Sequence, residues 1–185
     1  MAQLLGIVPC DADVLRLWRL YNEFVHPFNP VVHSPDDFET ELCEYLNTRS
    51  QYQDHPHLEQ HSTFLPTWSW LSLVLAVLAA GAQYSDNNSE WHLTSKIFVR
   101  ASFQCLRAAN CFVSADASQI RAMVLIAMCM RNDMNVNASW IYMGIIIRFA
   151  QSLGLHRRPG TSVDPEGRLQ SRTNRHETSG DAALW

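Results

Sequence analysis

An uncharged run, Trp68–Ala82, constrains the fold more than any other part of the sequence. It reads WSWLSLVLAVLAAGA, 15 residues without Asp, Glu, Lys or Arg. A helix that crosses a bilayer needs about 20 such residues, and no cluster of Lys or Arg flanks this run. Its length suits a helix that is buried in a globular core. We therefore predict a core helix here and no membrane-spanning segment.

The remaining apolar residues recur mostly at helical rather than strand spacing. In residues 11–27, five of them fall at i, i+3, i+4, i+7 and i+11, and Pro27 ends the pattern. Similar stripes, preceded by Ser, Asp or Asn residues that can cap a helix, begin near residues 34, 90, 118 and 139. The first stripe comprises Val14, Leu17, Trp18, Tyr21 and Val25, and the second comprises Phe38, Leu42, Tyr45 and Leu46. The sequence thus predicts an all-α fold of about six helices.

Residues 48–63 are polar, and we predict a loop there. This segment contains His55, His57 and His61, and three imidazoles so close together could bind zinc or nickel. Pro56 interrupts helical geometry between them, so the rings would not share one face. We therefore predict a solvated loop rather than a metal site.

The cysteines give no evidence of a metal cluster or of a disulfide framework. There are five of them, without a C-x-x-C pair, which fits a reducing intracellular compartment. Cys105 or Cys111 could act as a nucleophile with His92, but both cysteines lie in an apolar helical pattern where packing is the default role. No residue of this chain is therefore predicted to be catalytic, cofactor-binding or metal-binding.

Charge is distributed unevenly along the chain, whose net charge is -4. Residues 1–61 contain ten acidic side chains and three arginines, whereas residues 92–158 contain eight basic and two acidic side chains. The second predicted helix carries its acids around an exposed face, which argues against paired catalytic carboxylates. No basic run resembles a DNA-binding arm. The set Lys96, Arg100 and Arg107 shares one helical face and is predicted to be solvated.

The last helical pattern, Ser139–Pro159, has a well-defined end. Its apolar residues surround the helix except at Arg148, so we predict a helix that is buried nearly all round. Gly154 is suited to the left-handed conformation that ends a helix, with Leu155 as its apolar partner. His156 and Arg157 follow at the negative end of the helix dipole.

In its order and spacing, this helix with its Leu-Gly-Leu-His-Arg turn resembles the fungal-specific transcription factor domain, or middle homology region, of binuclear zinc-cluster regulators. The resemblance extends upstream to residues 20–33 and to the Leu-Ala-Ala-Gly-Ala segment within residues 71–85, and it covers about residues 12–158. The matching residues of the last helix are Trp140, Gly144, Ile147, Arg148, Ala150, Leu153, Gly154, Leu155, His156 and Arg157.

The resemblance implies a regulatory helical domain of a nuclear protein. In that family DNA is read by a six-cysteine zinc cluster, and no such pattern occurs here, so the resemblance implies zinc and specific DNA binding only through a domain absent from this chain. Protein partners or a small-molecule effector are expected. The family continues beyond the His-Arg turn into an arginine run and further helices that residues 159–185 do not reproduce, which implies an incomplete helical core.

We accordingly divide the chain into three parts: an N-terminal extension at residues 1–11, a partial fungal-specific transcription factor domain at 12–158, and a tail at 159–185. The tail has almost no large apolar residue before Leu184 and is predicted to be disordered. The expected function is regulation of transcription, without enzymatic activity. An all-α adaptor module for protein interaction is the alternative, and no repeat of fixed period supports it. An all-α enzyme is a third and weaker hypothesis.

Overall fold

The computed structural model describes residues 8–54, 66–85, 88–157, 161–163 and 169–171. In these ranges the chain forms six α-helices, so the predicted all-α class and the number of helices are confirmed. They are α1 Asp11–Leu20, α2 Pro35–Asp54, α3 Trp68–Ala82, α4 Asn88–Ala108, α5 Ala117–Asn132 and α6 Val136–Ser152.

Helix α3 is the centre of the fold. Thr67 caps its start by accepting a hydrogen bond from the backbone N–H of Trp70, and every residue from Trp70 to Ala82 is buried. Helices α1, α4 and α5 pack around it, and their buried apolar side chains form one hydrophobic core with those of α3. The predicted core helix is therefore confirmed, and among the described residues no helix is both long and apolar enough to traverse a bilayer.

Glycine is required at one position of α3 because α1 approaches closely. A Cβ atom added to Gly81 would overlap the backbone carbonyl of Leu17. The absence of a side chain therefore lets the two helix backbones come closer than any other residue would allow.

Helix α1 continues directly into a π-helical segment, Tyr21–Val25. His26 donates its backbone N–H to the carbonyl of Tyr21 at 2.9 Å, five residues back. The wider turn keeps both Tyr21 and Val25 buried. All five residues of the predicted stripe are buried, although the periodicity did not predict the change of helix type.

Helix α2 is longer than predicted. Its inward stripe of Phe38, Leu42, Tyr45 and Leu46 is buried as expected, but the helix runs on to Asp54 through residues that we predicted to be a loop. Thr48 bonds to the carbonyl of Glu44 and Arg49 donates to the carbonyl of Pro9, at 2.8 and 3.0 Å. The bond from Arg49 ties this part of the helix to the segment before α1, although the residues here have no apolar pattern.

Buried serines fasten the inner helices together. Ser95 and Ser102 of α4 donate to the carbonyls of Ala79 and Ser72 of α3 at 2.8 and 2.7 Å. Helix α5 begins with a capping box, in which Asp116 and Gln119 each bond to the other's backbone N–H. These contacts fix α4 on α3 and define where α5 begins.

In the predicted tail the structure describes two three-residue strands, Thr161–Val163 and Leu169–Ser171, which pair antiparallel. This short ladder differs from the predicted absence of secondary structure there. An isolated two-stranded hairpin is at best marginally stable. The remaining residues of 158–185 lie outside the described part of the chain.

Candidate functional site

Helix α6 carries the residues that most resemble a known family, and its C-terminus has the predicted geometry. Gly154 has φ 72°, and its N–H bonds to the carbonyl of Gln151 at 3.0 Å. The N–H of Leu155 bonds to the carbonyl of Ala150 at 3.0 Å. This pair of bonds is the Schellman motif, which satisfies carbonyls at the end of a helix. The Leu-Gly turn therefore acts as a helix stop.

The predicted burial of α6 on nearly all sides is wrong. Among its residues only Ser139 and Ile146 are buried, whereas the side chains of Trp140, Ile141 and Ile147 are 81%, 68% and 51% exposed. Helix α6 packs mainly on α5, where the Ser139 hydroxyl donates to the carbonyl of Ala127 at 2.8 Å. Because the neighbours of α6 lie along one side, its opposite face stays exposed to solvent despite its apolar residues.

This open face, which we call the outer face of α6, consists of residues one and two turns apart. Because an α-helix advances 100° per residue, positions i, i+3, i+4 and i+7 project the same way. The face has Gly144 at its centre, where an added Cβ would meet nothing within 4 Å. Its members are Asn137, Trp140, Ile141, Gly144, Ile147, Arg148 and Gln151, all of them exposed.

The cysteines considered as nucleophiles lie in the interior of the helical domain. Cys105 and Cys111 are buried, and burial raises the pKa of the Cys105 thiol to about 11 and that of Cys111 above its ordinary value. His92 lies 13 residues before Cys105 on the same helix, about 20 Å along its axis. Its Nε2 atom instead contacts Asp133 Oδ1 at 3.3 Å. Cys105 and His92, which were considered as a nucleophile and its base, are therefore not brought together.

Two acids of α2 hold core tryptophans in place. The indole N–H of Trp18 donates to Glu39 at 3.0 Å, and that of Trp70 donates to Glu41 at 2.6 Å. Both carboxylates belong to exposed residues, as predicted for this face. Their hydrogen bonds show that the face also anchors α2 to α1 and α3.

An amide that the sequence did not single out links three helix ends. Gln83, just after α3, donates to the carbonyl of Cys129 at 3.1 Å and to the carboxylate of Asp133 at 3.3 Å. Its Oε1 accepts from the side chain of Asn132 at 2.9 Å. Together with the contact between His92 and Asp133, this network joins the end of α3, the start of α4 and the end of α5.

A cleft of about 300 Å³ opens between α2, α3 and α5. Phe38 and Trp70 contribute aromatic surface, and Asp37, Glu41 and Arg121 contribute charge. Groups of both signs therefore lie beside an apolar wall in this cleft.

The histidines tested for metal binding, His55, His57 and His61, lie outside the described residues. Within the described ranges no group of three or more His, Cys, Asp or Glu side chains is arranged to hold a metal ion. The predicted basic stripe, Lys96, Arg100 and Arg107, is exposed on α4, as expected of a solvated surface.

Comparison with known proteins gives a consistent picture. A family model described as fungal specific transcription factor domain matches residues 18–178. The chain is 25% identical over 150 residues to pyriculol/pyriculariol biosynthesis cluster transcription factor 1 of Pyricularia oryzae, covering 80% of this chain and 19% of that protein. It is 22% identical over 159 residues to the C6 finger domain transcription factor hasF of Aspergillus fumigatus, covering 80% and 21%. The chain thus spans about a fifth of the length of these relatives. No solved structure matches it.

Proposed function

Because the chain belongs to the fungal specific transcription factor domain family, we propose that it acts as the regulatory middle domain of a zinc-cluster transcription factor in the nucleus. The observation that carries this proposal is the family match over residues 18–178, which includes all of α2 to α6. The six-helix scaffold around α3 agrees with it.

The proposed role is regulatory rather than catalytic. The burial of Cys105 and the contact of His92 with Asp133 support this proposal. Sequence-specific contact with DNA would come from a zinc-cluster domain, as in the C6 finger relative whose name records one. This chain would instead modulate the activity of that domain.

Fusion to a DNA-binding zinc cluster tests this role in a fungal nucleus. We expect reporter transcription to differ between the cluster fused to this chain and the cluster fused to a helical domain of similar size. The matched control is the same fusion carrying Gly81→Leu, which places a side chain against the Leu17 carbonyl and disrupts the core. Equal transcription from all three fusions would contradict the proposal.

We also propose the cleft between α2, α3 and α5 as the binding site of a small-molecule effector. A ligand there would contact three helices at once and could use Arg121, Asp37 and the aromatic side chain of Phe38. Arg121→Ala should alter reporter output from the zinc-cluster fusion without lowering its thermal stability. Arg100→Ala, on the exposed surface of α4, is the control, and the same output from both variants would argue against the cleft.

A further inference from the structure

The cleft between α2, α3 and α5 is lined by opposite charges that come from different helices. Helix α2 contributes the carboxylates of Asp37 and Glu41, which lie one turn apart on the same side of that helix. Helix α5 contributes the guanidinium of Arg121, and α3 contributes the apolar surface of Trp70 and Leu73. A molecule in the cleft would therefore meet groups of both charges and apolar side chains at once.

The opposite charges of the cleft do not neutralise each other. Among the described residues, neither the carboxylate of Asp37 nor the guanidinium of Arg121 has an ion pair or a side-chain hydrogen bond. Glu41 differs, because it accepts the indole N–H of Trp70 at 2.6 Å. Arg121 is partly buried, and charges that are removed from water are normally paired. One acidic and one basic group are thus both available to a ligand.

We infer, on the basis of the effector role proposed for this cleft, that its ligand is a free α-amino acid with a large apolar side chain. The ammonium of such a molecule would pair with Asp37 and its carboxylate with Arg121, whose guanidinium can donate two parallel hydrogen bonds to a carboxylate. Its side chain would lie against Phe38 and Trp70. The volume of about 300 Å³ is at the small end of ligand sites, which suits a molecule of this size.

The balance of charge in the cleft favours a ligand that carries both charges. With His33 neutral, Asp37 and Glu41 outnumber Arg121, so a simple carboxylate would be repelled by two groups and attracted by one. A simple amine would leave Arg121 without a partner and would place a second cation near it. A zwitterion brings each of its charges to the opposite charge of the protein.

The cleft is separate from the open face of α6. Helix α6 meets α5 at Ala127, whose carbonyl accepts the Ser139 hydroxyl at 2.8 Å. Ser118, which lines the cleft, precedes Ala127 by nine residues, and this spacing corresponds to about two and a half helical turns. The cleft therefore lies on the side of α5 away from α6.

Ligand binding to the full 185-residue chain can be measured directly. In NMR spectra of the nitrogen-labelled chain, phenylalanine should shift the indole N–H signal of Trp70 saturably, because this group lies beside the cleft. The indole of Trp18, which bonds to Glu39, should shift less. Phenylpropionate and phenylethylamine each keep the ring and one charge. Each should bind at least about tenfold more weakly than phenylalanine, because one charged pair is lost.

Neutral variants of similar shape identify the two contacts. Arg121→Gln and Asp37→Asn should each weaken the binding of phenylalanine by about tenfold or more. Asp36→Asn is the matched control for Asp37, because Asp36 also lies in the first turn of α2 but outside the cleft. Arg100→Gln, on the exposed surface of α4, is the control for Arg121. Both controls should bind phenylalanine as the unchanged chain does, and thermal melting shows whether all four variants fold.

Three results would overturn the inference. The first is the lack of a saturable shift of the Trp70 signal with phenylalanine and with leucine. The second is binding of phenylpropionate or phenylethylamine as tight as that of phenylalanine, which would assign the cleft to a ligand with one charge. The third is unchanged affinity in folded Arg121→Gln and Asp37→Asn.

The binding measurement needs no reporter gene, so the ligand and the regulatory role can fail separately. Amino-acid binding by a chain whose fusion leaves reporter transcription unchanged would contradict the proposed function and leave the ligand of the cleft established. A fusion that alters transcription, together with a chain that binds no amino acid, would contradict the inferred ligand alone.

Discussion

Helices α3 and α6 are both rich in apolar residues and contain a glycine each, yet their surroundings differ. In α3 all residues from Trp70 to Ala82 are buried, because α1, α4 and α5 surround it. In α6 just two residues are buried, because α5 supplies most of its contacts. The apolar content of a helix determines how much it could bury. The positions of its neighbours determine how much it does bury.

Gly81 and Gly144 differ in the same way in what surrounds the position of one atom, the Cβ that glycine lacks. Gly81 lies against the carbonyl of Leu17, and Gly144 faces open space. A side chain at Gly81 would separate α1 from α3, whereas one at Gly144 would change no contact among the described residues. This contrast can be measured through the free energy of unfolding.

The largest expected difference comes from truncating one apolar side chain in each helix. Leu75 is fully buried, so Leu75→Ala should lower the free energy of unfolding by about 3 kcal/mol through lost burial and a cavity. Ile147 is half-exposed, and Ile147→Ala should cost at most about 1 kcal/mol. Urea unfolding monitored by circular dichroism measures both, and equal costs would show that α6 is covered within the monomer.

A second comparison, between alanine substitutions of the two glycines, predicts stability changes of opposite sign. Gly81→Ala should destabilise the chain by about 2 kcal/mol, because the new methyl group overlaps the Leu17 carbonyl and forces α1 away. Gly144→Ala should stabilise it by roughly 0.5–1 kcal/mol, because alanine favours the helix and finds open space. The same urea titration distinguishes them. Destabilisation by Gly144→Ala would mean that its surroundings in solution are not open.

A substitution at the end of α6 should have a smaller effect on the free energy of unfolding. Gly154 has a positive φ, which a β-branched side chain resists, so Gly154→Val should cost about 1 kcal/mol. Gly144→Val introduces the same side chain into a regular part of this helix and controls for its bulk. An unchanged melting temperature for Gly154→Val, measured by calorimetry, would show that the left-handed turn is absent in solution.

The smallest expected effect is a dependence on alkaline pH. Burial raises the pKa of the thiols of Cys105 and Cys129, in the helices beside α3, from 9.0 to about 11 and about 12. In the unfolded chain these thiols ionise at a lower pH than in the folded chain. The free energy of unfolding is therefore greatest below pH 9 and falls as the pH rises above it. Between pH 8 and 9 the loss should be below about 1 kcal/mol.

Two cysteine variants test whether this pH dependence comes from a buried thiol. Cys129→Ala should flatten the decline in urea midpoint with pH, whereas Cys10→Ala, at an exposed position, should leave it unchanged. A decline that persists fully in Cys129→Ala would exclude that thiol as its source.

The sequence predicted the six helices because their determinants are local. The stripe from Val14 to Val25, the aspartate that begins α5 and the glycine that ends α6 each act within a few residues. The length of α2 was mispredicted because its last part is held by long-range and backbone contacts, such as Arg49 on Pro9, rather than by an apolar pattern.

Burial of α6 could not be predicted in the same way. Periodicity identifies which residues share a face, but it does not specify whether a neighbour lies opposite that face. The open surface around Gly144 and the Gln83 network both depend on helices that are distant in sequence. A helix with apolar residues on all sides therefore predicts an additional contact, within or between chains, but does not identify it.

The π-helical segment Tyr21–Val25 makes this part of the chain tolerant of one kind of length change. A π turn holds one residue more than an α turn, so deleting one residue there would leave a regular α-helix with the residues before and after it in nearly the same register. Leu17, whose carbonyl meets Gly81, would then stay on α3, whereas one residue deleted from the regular part of the helix between Leu17 and the π turn would rotate it away by about 100°. Homologues should consequently lose one residue within the π turn far more readily than one residue of the regular helix before it.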